Sequence, residues 1–215
     1  MRIRKDVRLP IKNLGGWFCW VDELPERPTV LSAGIGGDVG FERALVEDFG
    51  ATVHAFDPTP DAVEWIGSQV IGEGFYFHAW ALSGKDATLR MFRRTNRKGK
   101  KSAMMWTISE QAAASDNAIE VKAYSVGTAM TELGLEKLDI LKLDIEGAEY
   151  PVLETLAGLD MRPGQILVEF HHRFPSIGKA KTESALAELR RIGYRVYAIS
   201  DTGRELSLVH DELLG

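Results

Sequence analysis

Two short runs hold most of the side chains in this 215-residue chain that could do proton or metal chemistry. In "VEFHHR" (168–173), Glu169 and His171 share one side of an extended segment, and His172 faces the other. An imidazole near its ordinary pKa is suited to taking the proton of a hydroxyl. Glu169 is then placed to hold the imidazole tautomer or to touch a substrate. In "LDIEGAE" (143–149), Asp144, Glu146 and Glu149 surround a strand-to-helix junction. Acids at a helix start complement its dipole, which accounts for Glu149 and for part of Glu146. It does not account for Asp144, which ends a buried strand where a lone charge is expensive. Asp144, Glu146, Glu169 and His171 could also converge as oxygen and nitrogen ligands of a divalent metal. The base reading is preferred, with no metal assigned. His54 and His78 lie inside strands and His210 near the end, and all three read as structural.

A third run, "LSAGIGGD" (31–38), packs three glycines into four positions after an apolar lead-in. Glycines this dense cost chain entropy, so something should need them. The turn leaves the first strand of an open α/β sheet, where ligands bind beyond the carboxyl ends of the strands. A dinucleotide fingerprint would use Gly34 and Gly36 and then require glycine at 39, which is Val39. Asp38, read as the N-cap of the next helix, would also oppose a pyrophosphate at that helix N-terminus. S-adenosylmethionine has no phosphate and carries a sulfonium and an ammonium, which a carboxylate tolerates or favours. Asp57, at the end of the second strand, suits a ribose-hydroxyl acceptor for either ligand. Its removal is expected to weaken ligand binding and leave folding intact.

These residues need a scaffold of alternating strands and helices. "TVLSAG" (29–34), "TVHAFD" (52–57), "FYFHAWALS" (75–83), "IEVKAY" (119–124), "LDILKLDI" (138–145) and "QILVEF" (165–170) read as strands. "VGFERALVEDFG" (39–50) reads as a helix stopped by Gly50. "TPDAVEWIGSQVIG" (59–72) reads as a helix with Thr59 as N-cap and Pro60 at its first position. "SVGTAMTELG" (125–134), capped by Ser125, "GAEYPVLETLAGL" (147–159) and "ESALAELRRIG" (183–193) complete the helices. "YRVYAIS" and "RELSLVH", joined by "DTG", form a terminal hairpin. Strand–helix–strand repeats imply a parallel sheet covered on both faces. "ATLRMF" (87–92) reads as an edge strand and "RRTNRKGKKS" (93–102) as a loop, so residues 84–118 form an inserted hairpin with a basic loop. Six basic residues stand in nine positions, 93–101. They make a solvated loop or a lid attracting an anionic substrate. "SAMMWT" follows as edge packing or as an apolar wall. One domain over 1–215 is expected, with a lead segment (1–28) that periodicity does not place.

A net charge of -5 argues against a general nucleic-acid binder, whose affinity leans on phosphate neutralisation. The single cysteine, Cys19, excludes an intramolecular disulfide and points to a reducing compartment, hence a cytoplasmic protein. The N-terminal "MRIRKDVRLPIKNLGG" has no apolar core of a signal peptide, and no apolar run approaches the ~20 residues of a membrane span.

The pattern "VLSAGIGGDVGFERAL…VHAFDPTP…LDILKLDIEGAEYPVLETL…ILVEFHHRF" resembles the FkbM-type methyltransferases, and "LKLDIEGAE" is its most specific piece. The resemblance covers most of the chain. It implies a class I methyltransferase fold, Rossmann-like, with seven strands in the order 3-2-1-4-5-7-6 and strand seven antiparallel. It implies S-adenosylmethionine as methyl donor and O-methylation of a small hydroxylated acceptor, often a sugar or natural product. Cofactor contacts would come from Ala33, Gly34, Ile35, Gly36, Asp38, Asp57, Pro58, Ala81 and Asp144. Asp144 would lie beside the methionine part and Glu146 would face the acceptor, with His171 as base. Many class I enzymes carry an acid in strand one where this chain has Ser32. Asp38 is expected to take over the ammonium contact. The competing readings are a nicotinamide-type Rossmann oxidoreductase and a non-catalytic module that keeps the S-adenosylmethionine pocket.

Overall fold

The computed structural model describes residues 3–95, 101–107, 118–174 and 176–215. A hairpin of β1 (Lys12–Leu14) and β2 (Trp17–Cys19) leads into β3 (Thr29–Ala33), α1 (Gly40–Phe49), β4 (Thr52–Phe56), α2 (Pro60–Ile66) and β5 (Phe75–His78). Then come β6 (Ala81–Leu82), β7 (Ala87–Thr95), β8 (Lys101–Thr107), β9 (Ala118–Tyr124) and α3 (Val126–Glu132). The rest is β10 (Ile140–Leu143), α4 (Glu149–Thr155), β11 (Gln165–Glu169), α5 (Gly178–Arg191), β12 (Tyr194–Ile199) and β13 (Glu205–His210).

Seven of these strands form one sheet in the order β12-β13-β11-β10-β3-β4-β5. Counted within that sheet from the β5 edge, this is 3-2-1-4-5-7-6. Its pairs are parallel from β5 to β11, and β13 runs antiparallel to both β11 and β12. The central strands are continuous apolar runs because both faces are covered. Leu31, Leu141, Leu143, Ile166 and Val168 face one core with Tyr150, Leu153, Leu186 and Leu189 from the helices. Val30, Ile140 and Leu167 face the other with Phe41 and Leu45 of α1 and with Leu14 and Cys19 of the lead hairpin. The lead segment is therefore a layer of the core. The buried Gln165 side chain fastens it, accepting the Trp20 N–H at 3.2 Å and donating to the Trp20 carbonyl at 2.7 Å.

Four expectations change. The run 75–83 is two strands: β5 lies half-buried at the sheet edge, and β6 joins a second sheet ordered β6-β9-β7-β8. Uniform apolarity across the run hides that switch from a period-based reading. Strand β7 is consequently interior, between β9 and β8, and it takes in part of the expected basic loop. Residues 96–100 of that loop lie outside the described residues. Helix α2 stops at Ile66, where Gly67 and Ser68 form a tight turn and Ser68 N–H donates to the Trp65 carbonyl. Helix α1 has Val39 rather than Asp38 at its N-cap; Asp38 Oδ1 accepts the Gly40 N–H at 2.8 Å.

At the β4–β5 edge, His54 Nδ1 and His78 Nε2 are 3.0 Å apart, and His54 stacks on Tyr76 and His78. Burial, aided by the neighbouring His78, lowers the His54 pKa to about 4. The folded-state value is depressed below the unfolded one, so this stabilisation is whole above pH ~6.5 and is lost as pH falls toward 4. Chemical denaturation across that window should show the parent losing roughly 2 kcal/mol more than His54→Phe, which keeps the stacking but cannot protonate. Parallel pH profiles for the two proteins would show that His54 protonates equally in the folded and unfolded chains.

Candidate functional site

The carboxyl ends of β3, β4 and β10 open onto a cavity of about 260 Å³. The turn 34–37 forms its floor. Gly34 has φ +81°, and a Cβ there would stand 1.8 Å from the Asp144 carbonyl oxygen, so no other residue fits. The contact sets the ends of β3 and β10 against each other. Below the turn, Lys142 is 4% exposed yet fully engaged: its Nζ lies 3.2 Å from both Glu42 Oε1 and the Gly34 carbonyl. Glu42 in turn accepts a short hydrogen bond from the Ser32 hydroxyl. The acid nearest Ser32 is therefore Glu42, neutralised by Lys142 and turned away from the cavity lining.

Asp57 is buried and engaged on both oxygens. Oδ2 accepts the Gly36 N–H at 3.0 Å, and Oδ1 accepts the Thr59 N–H at 3.0 Å and its hydroxyl at 2.6 Å. Thr59 caps α2, so one carboxylate joins the glycine turn to the start of that helix. Opposite, Asp144 and Glu146 line the cavity. Glu146 has φ +52°, a left-handed conformation that costs a non-glycine residue about 1–2 kcal/mol and clusters at functional sites.

Behind these two acids sits His171, 4% exposed. Glu149, with no exposure at all, grips it: Oε1 accepts the His171 backbone N–H at 2.9 Å and lies 3.2 Å from Nδ1. Its Oε2 accepts the Gly147 N–H at 2.8 Å. An ionised carboxylate only accepts, so the Nδ1 proton is fixed and Nε2 points the other way. There the nearest carboxylate oxygens are Glu146 at 3.7 Å, Asp144 at 3.9 Å and Glu169 at 4.0 Å. Glu169 is bound by the Arg204 guanidinium. One ligand atom each from Asp144, Glu169 and His171 can be chosen within 4.8 Å of one another. Burial, with Glu146 and Glu149 adding to it, raises the Asp144 pKa against the pull of Lys142 and His171. Burial opposes the imidazolium of His171, but the Glu149 hydrogen bond and the surrounding carboxylates outweigh it and raise its pKa. Burial lowers that of His172, which lies on the other side beside Lys179 and Thr202.

Of the cofactor contacts expected from sequence, Ala33, Gly34, Ile35, Gly36, Asp57, Pro58, Ala81 and Asp144 line this cavity, while Asp38 does not. Glu146 also lines it; His171 and Glu169 stand one layer back. Glu149, not Glu169, holds the imidazole. Helical spacing could have shown that Glu149 is buried, because it shares its face with Val152, Leu153 and Leu156; its partner is set by tertiary distance. The cavity's outer wall is Leu89, Met91 and Trp106 from the second sheet. Trp106 donates to Asp61 at 2.8 Å, and Arg93 pairs with the same carboxylate at 2.7 Å, so the first residue of the basic run fixes that wall. The Met104 and Met105 side chains expected in the wall lie outside the described residues.

The family model described as methyltransferase FkbM domain matches residues 24–196. Methyltransferase-like protein 24 of Rattus norvegicus is 26% identical over 180 residues, covering 77% of this chain and 41% of that protein. Its Homo sapiens counterpart is 24% identical over 176 residues with the same coverage. The chain thus spans about two fifths of the length of these relatives. Among solved structures, the fibrillarin pre-rRNA processing protein of Methanococcus jannaschii superposes with a TM-score of 0.52 at 10% identity, covering 94% of this chain and 71% of that one. That likeness concerns the fold, which is the class I methyltransferase fold.

The Asp57 geometry corrects the expectation that its loss spares folding. Asp57→Ala removes three acceptor contacts from buried or half-buried donors, and denaturant titration should show a loss of about 3 kcal/mol. An unchanged midpoint and slope would mean that the turn and α2 hold without this carboxylate.

Proposed function

The chain belongs to the FkbM methyltransferase family, and on that premise we propose that it transfers a methyl group from S-adenosylmethionine to a hydroxyl oxygen of a small acceptor. The observation that carries this reading is the charge of the cavity. Among the described residues its lining has three carboxylates, Asp57, Asp144 and Glu146, and no lysine, arginine or histidine. A dinucleotide would bring a pyrophosphate into this field with no cationic side chain in the lining to meet it. A ligand with a sulfonium and an ammonium suits it.

S-adenosylmethionine, when bound, supplies an electrophilic methyl group. The chain's own residues divide the remaining work. Asp57, already oriented by Gly36 and Thr59, has one lone pair left, on Oδ2, for a ribose hydroxyl. Asp144 takes the ammonium contact that sequence reasoning gave to Asp38. Backbone at 33–36, with Pro58 and Ala81, bounds the nucleoside. Glu146 faces the acceptor, and the cluster of Asp144, Glu146 and His171 receives its proton. Leu89, Met91 and Trp106 close the site from outside and select an acceptor with apolar surface. Alignment of the acceptor oxygen and a base together account for the rate.

No helix among the described residues is long and apolar enough to cross a membrane. Burial pushes the Cys19 thiol up to about 12, consistent with an inert core cysteine; on its single-cysteine composition we place the protein in the cytoplasm.

Calorimetry should show S-adenosylhomocysteine binding and no NAD binding; the reverse result would end the methyltransferase reading. His171→Ala, one layer behind the cavity, should keep S-adenosylhomocysteine affinity within about threefold and lose ~10²–10⁴ of turnover in a labelled-methyl assay. His172→Ala should be milder. Equal behaviour of the two variants would remove His171 from the chemistry.

A further inference from the structure

We propose that Asp144, Glu169 and His171 form a binding site for one divalent cation of the Mn²⁺ class, at the inner end of the cavity. Two ligand atoms on one ion at about 2.1–2.4 Å can be no further apart than ~4.8 Å. One atom each from Asp144, Glu169 and His171 meets that limit for every pair. A crowd of acids alone would not indicate a cation. His171 supplies the independent observation. Its side chain is 5% exposed, and Nε2 is aimed at three carboxylates that stand 3.7–4.0 Å away, beyond hydrogen-bond reach. Three carboxylates facing one ring nitrogen favour a positive charge between them, which a bound divalent cation supplies in place of a proton on Nε2.

The outer contacts have the form that metal ligands use. A ligating histidine donates its second ring N–H to a carboxylate, and ligating carboxylates are themselves held by donors. Glu149 takes the Nδ1 side of His171, and Arg204 holds Glu169. Two carboxylates with one imidazole, and no thiolate, match a cation that accepts both hard oxygen and nitrogen, as Mn²⁺ does. Asp144 belongs to both the cluster and the cavity lining, so the ion's remaining positions take water or an acceptor oxygen. This deepens the methyl-transfer reading and depends on it only for the acceptor; with the ion bound, Nε2 is a ligand and the acceptor proton goes to Glu146, which lines the cavity outside the ligand set. It gives that acceptor a class: a molecule whose hydroxyl coordinates the ion.

The test uses the full chain, stripped with EDTA and then saturated with S-adenosylhomocysteine. Mn²⁺ is titrated in, and free Mn²⁺ is read by electron paramagnetic resonance. One equivalent should bind. Glu169→Gln, which preserves shape and can still accept from Arg204, should weaken binding about tenfold or more, and His171→Ala at least as much. No bound Mn²⁺, or equal affinity in the parent and Glu169→Gln, overturns the site. Homocysteine-adduct binding is measured in the same samples. Its failure alongside tight Mn²⁺ binding would sink the methyl-transfer reading and leave the cation site standing. Adduct binding and methyl transfer unaffected by EDTA would do the opposite.

Discussion

A carboxylate with no exposure to water, Glu149, fixes the arrangement on which the site depends. A buried charge is costly unless donors surround it. Glu149 meets that need with three donors from two loops: the Gly147 N–H after β10, and the backbone N–H and Nδ1 of His171 after β11. The two strand ends are parallel neighbours, but parallel pairing alone does not set where their loops go. The shared carboxylate does. It holds the imidazole with Nε2 toward Asp144, Glu146 and Glu169. Under the adjacent turn, Glu42 and Lys142 make a second buried pair that also binds the Gly34 carbonyl. Both strand-end loops of the cavity floor therefore rest on buried acids.

Much of the central sheet was legible because its signal is local. Continuous apolar runs at β3, β10 and β11 mean two covered faces, and a turn with Asp and Gly between the last two strands means a hairpin. The second sheet was not legible. In "FYFHAWALS" the chain changes sheets without any change in polarity, and the two-residue β6 is too short to have a period. The lead segment hid for a related reason: it is fastened by residues far away in sequence, Gln165, Tyr197 and Ser207, bonding to the backbone of Phe18 and Trp20. The site divides the same way. Glycines and terminal acids announce a ligand turn by type and spacing. Which acid serves which partner depends on tertiary distance, so Glu149 took the imidazole expected of Glu169, Glu169 paired with Arg204, and Asp38 fell outside the lining. Glu42 and Glu149 did carry a readable sign, each being an acid on the apolar face of its helix.

The cavity unites an inner end rich in carboxylates with an outer wall of Leu89, Met91 and Trp106. These come from different parts of the fold. The acids sit at ends of central strands, where backbone contacts such as Gly34 against Asp144 leave little freedom. The wall comes from strands inserted between β6 and β9, tied to the core through Asp61. On the methyl-transfer reading proposed above, the rigid part holds the cation-bearing ligand and the appended sheet sets acceptor choice. Relatives that share the strand ends need not share an acceptor.

The backbone of the "IEG" turn shows how strain and charge are linked. Glu146 at φ +52° and Gly147 at φ +101° are successive left-handed residues. Glycine takes that conformation freely, but glutamate does so at a cost. If the turn relaxed, the Gly147 N–H would leave Glu149, and a wholly buried carboxylate would lose one of its donors. That loss, on the order of 1–3 kcal/mol, offsets the roughly 1–2 kcal/mol held at Glu146. The strained turn is consequently sustained. It carries the Glu146 side chain to the cavity wall, where an unstrained turn would have no reason to place it. The carboxylate at the cavity wall is held there by a second one buried behind it.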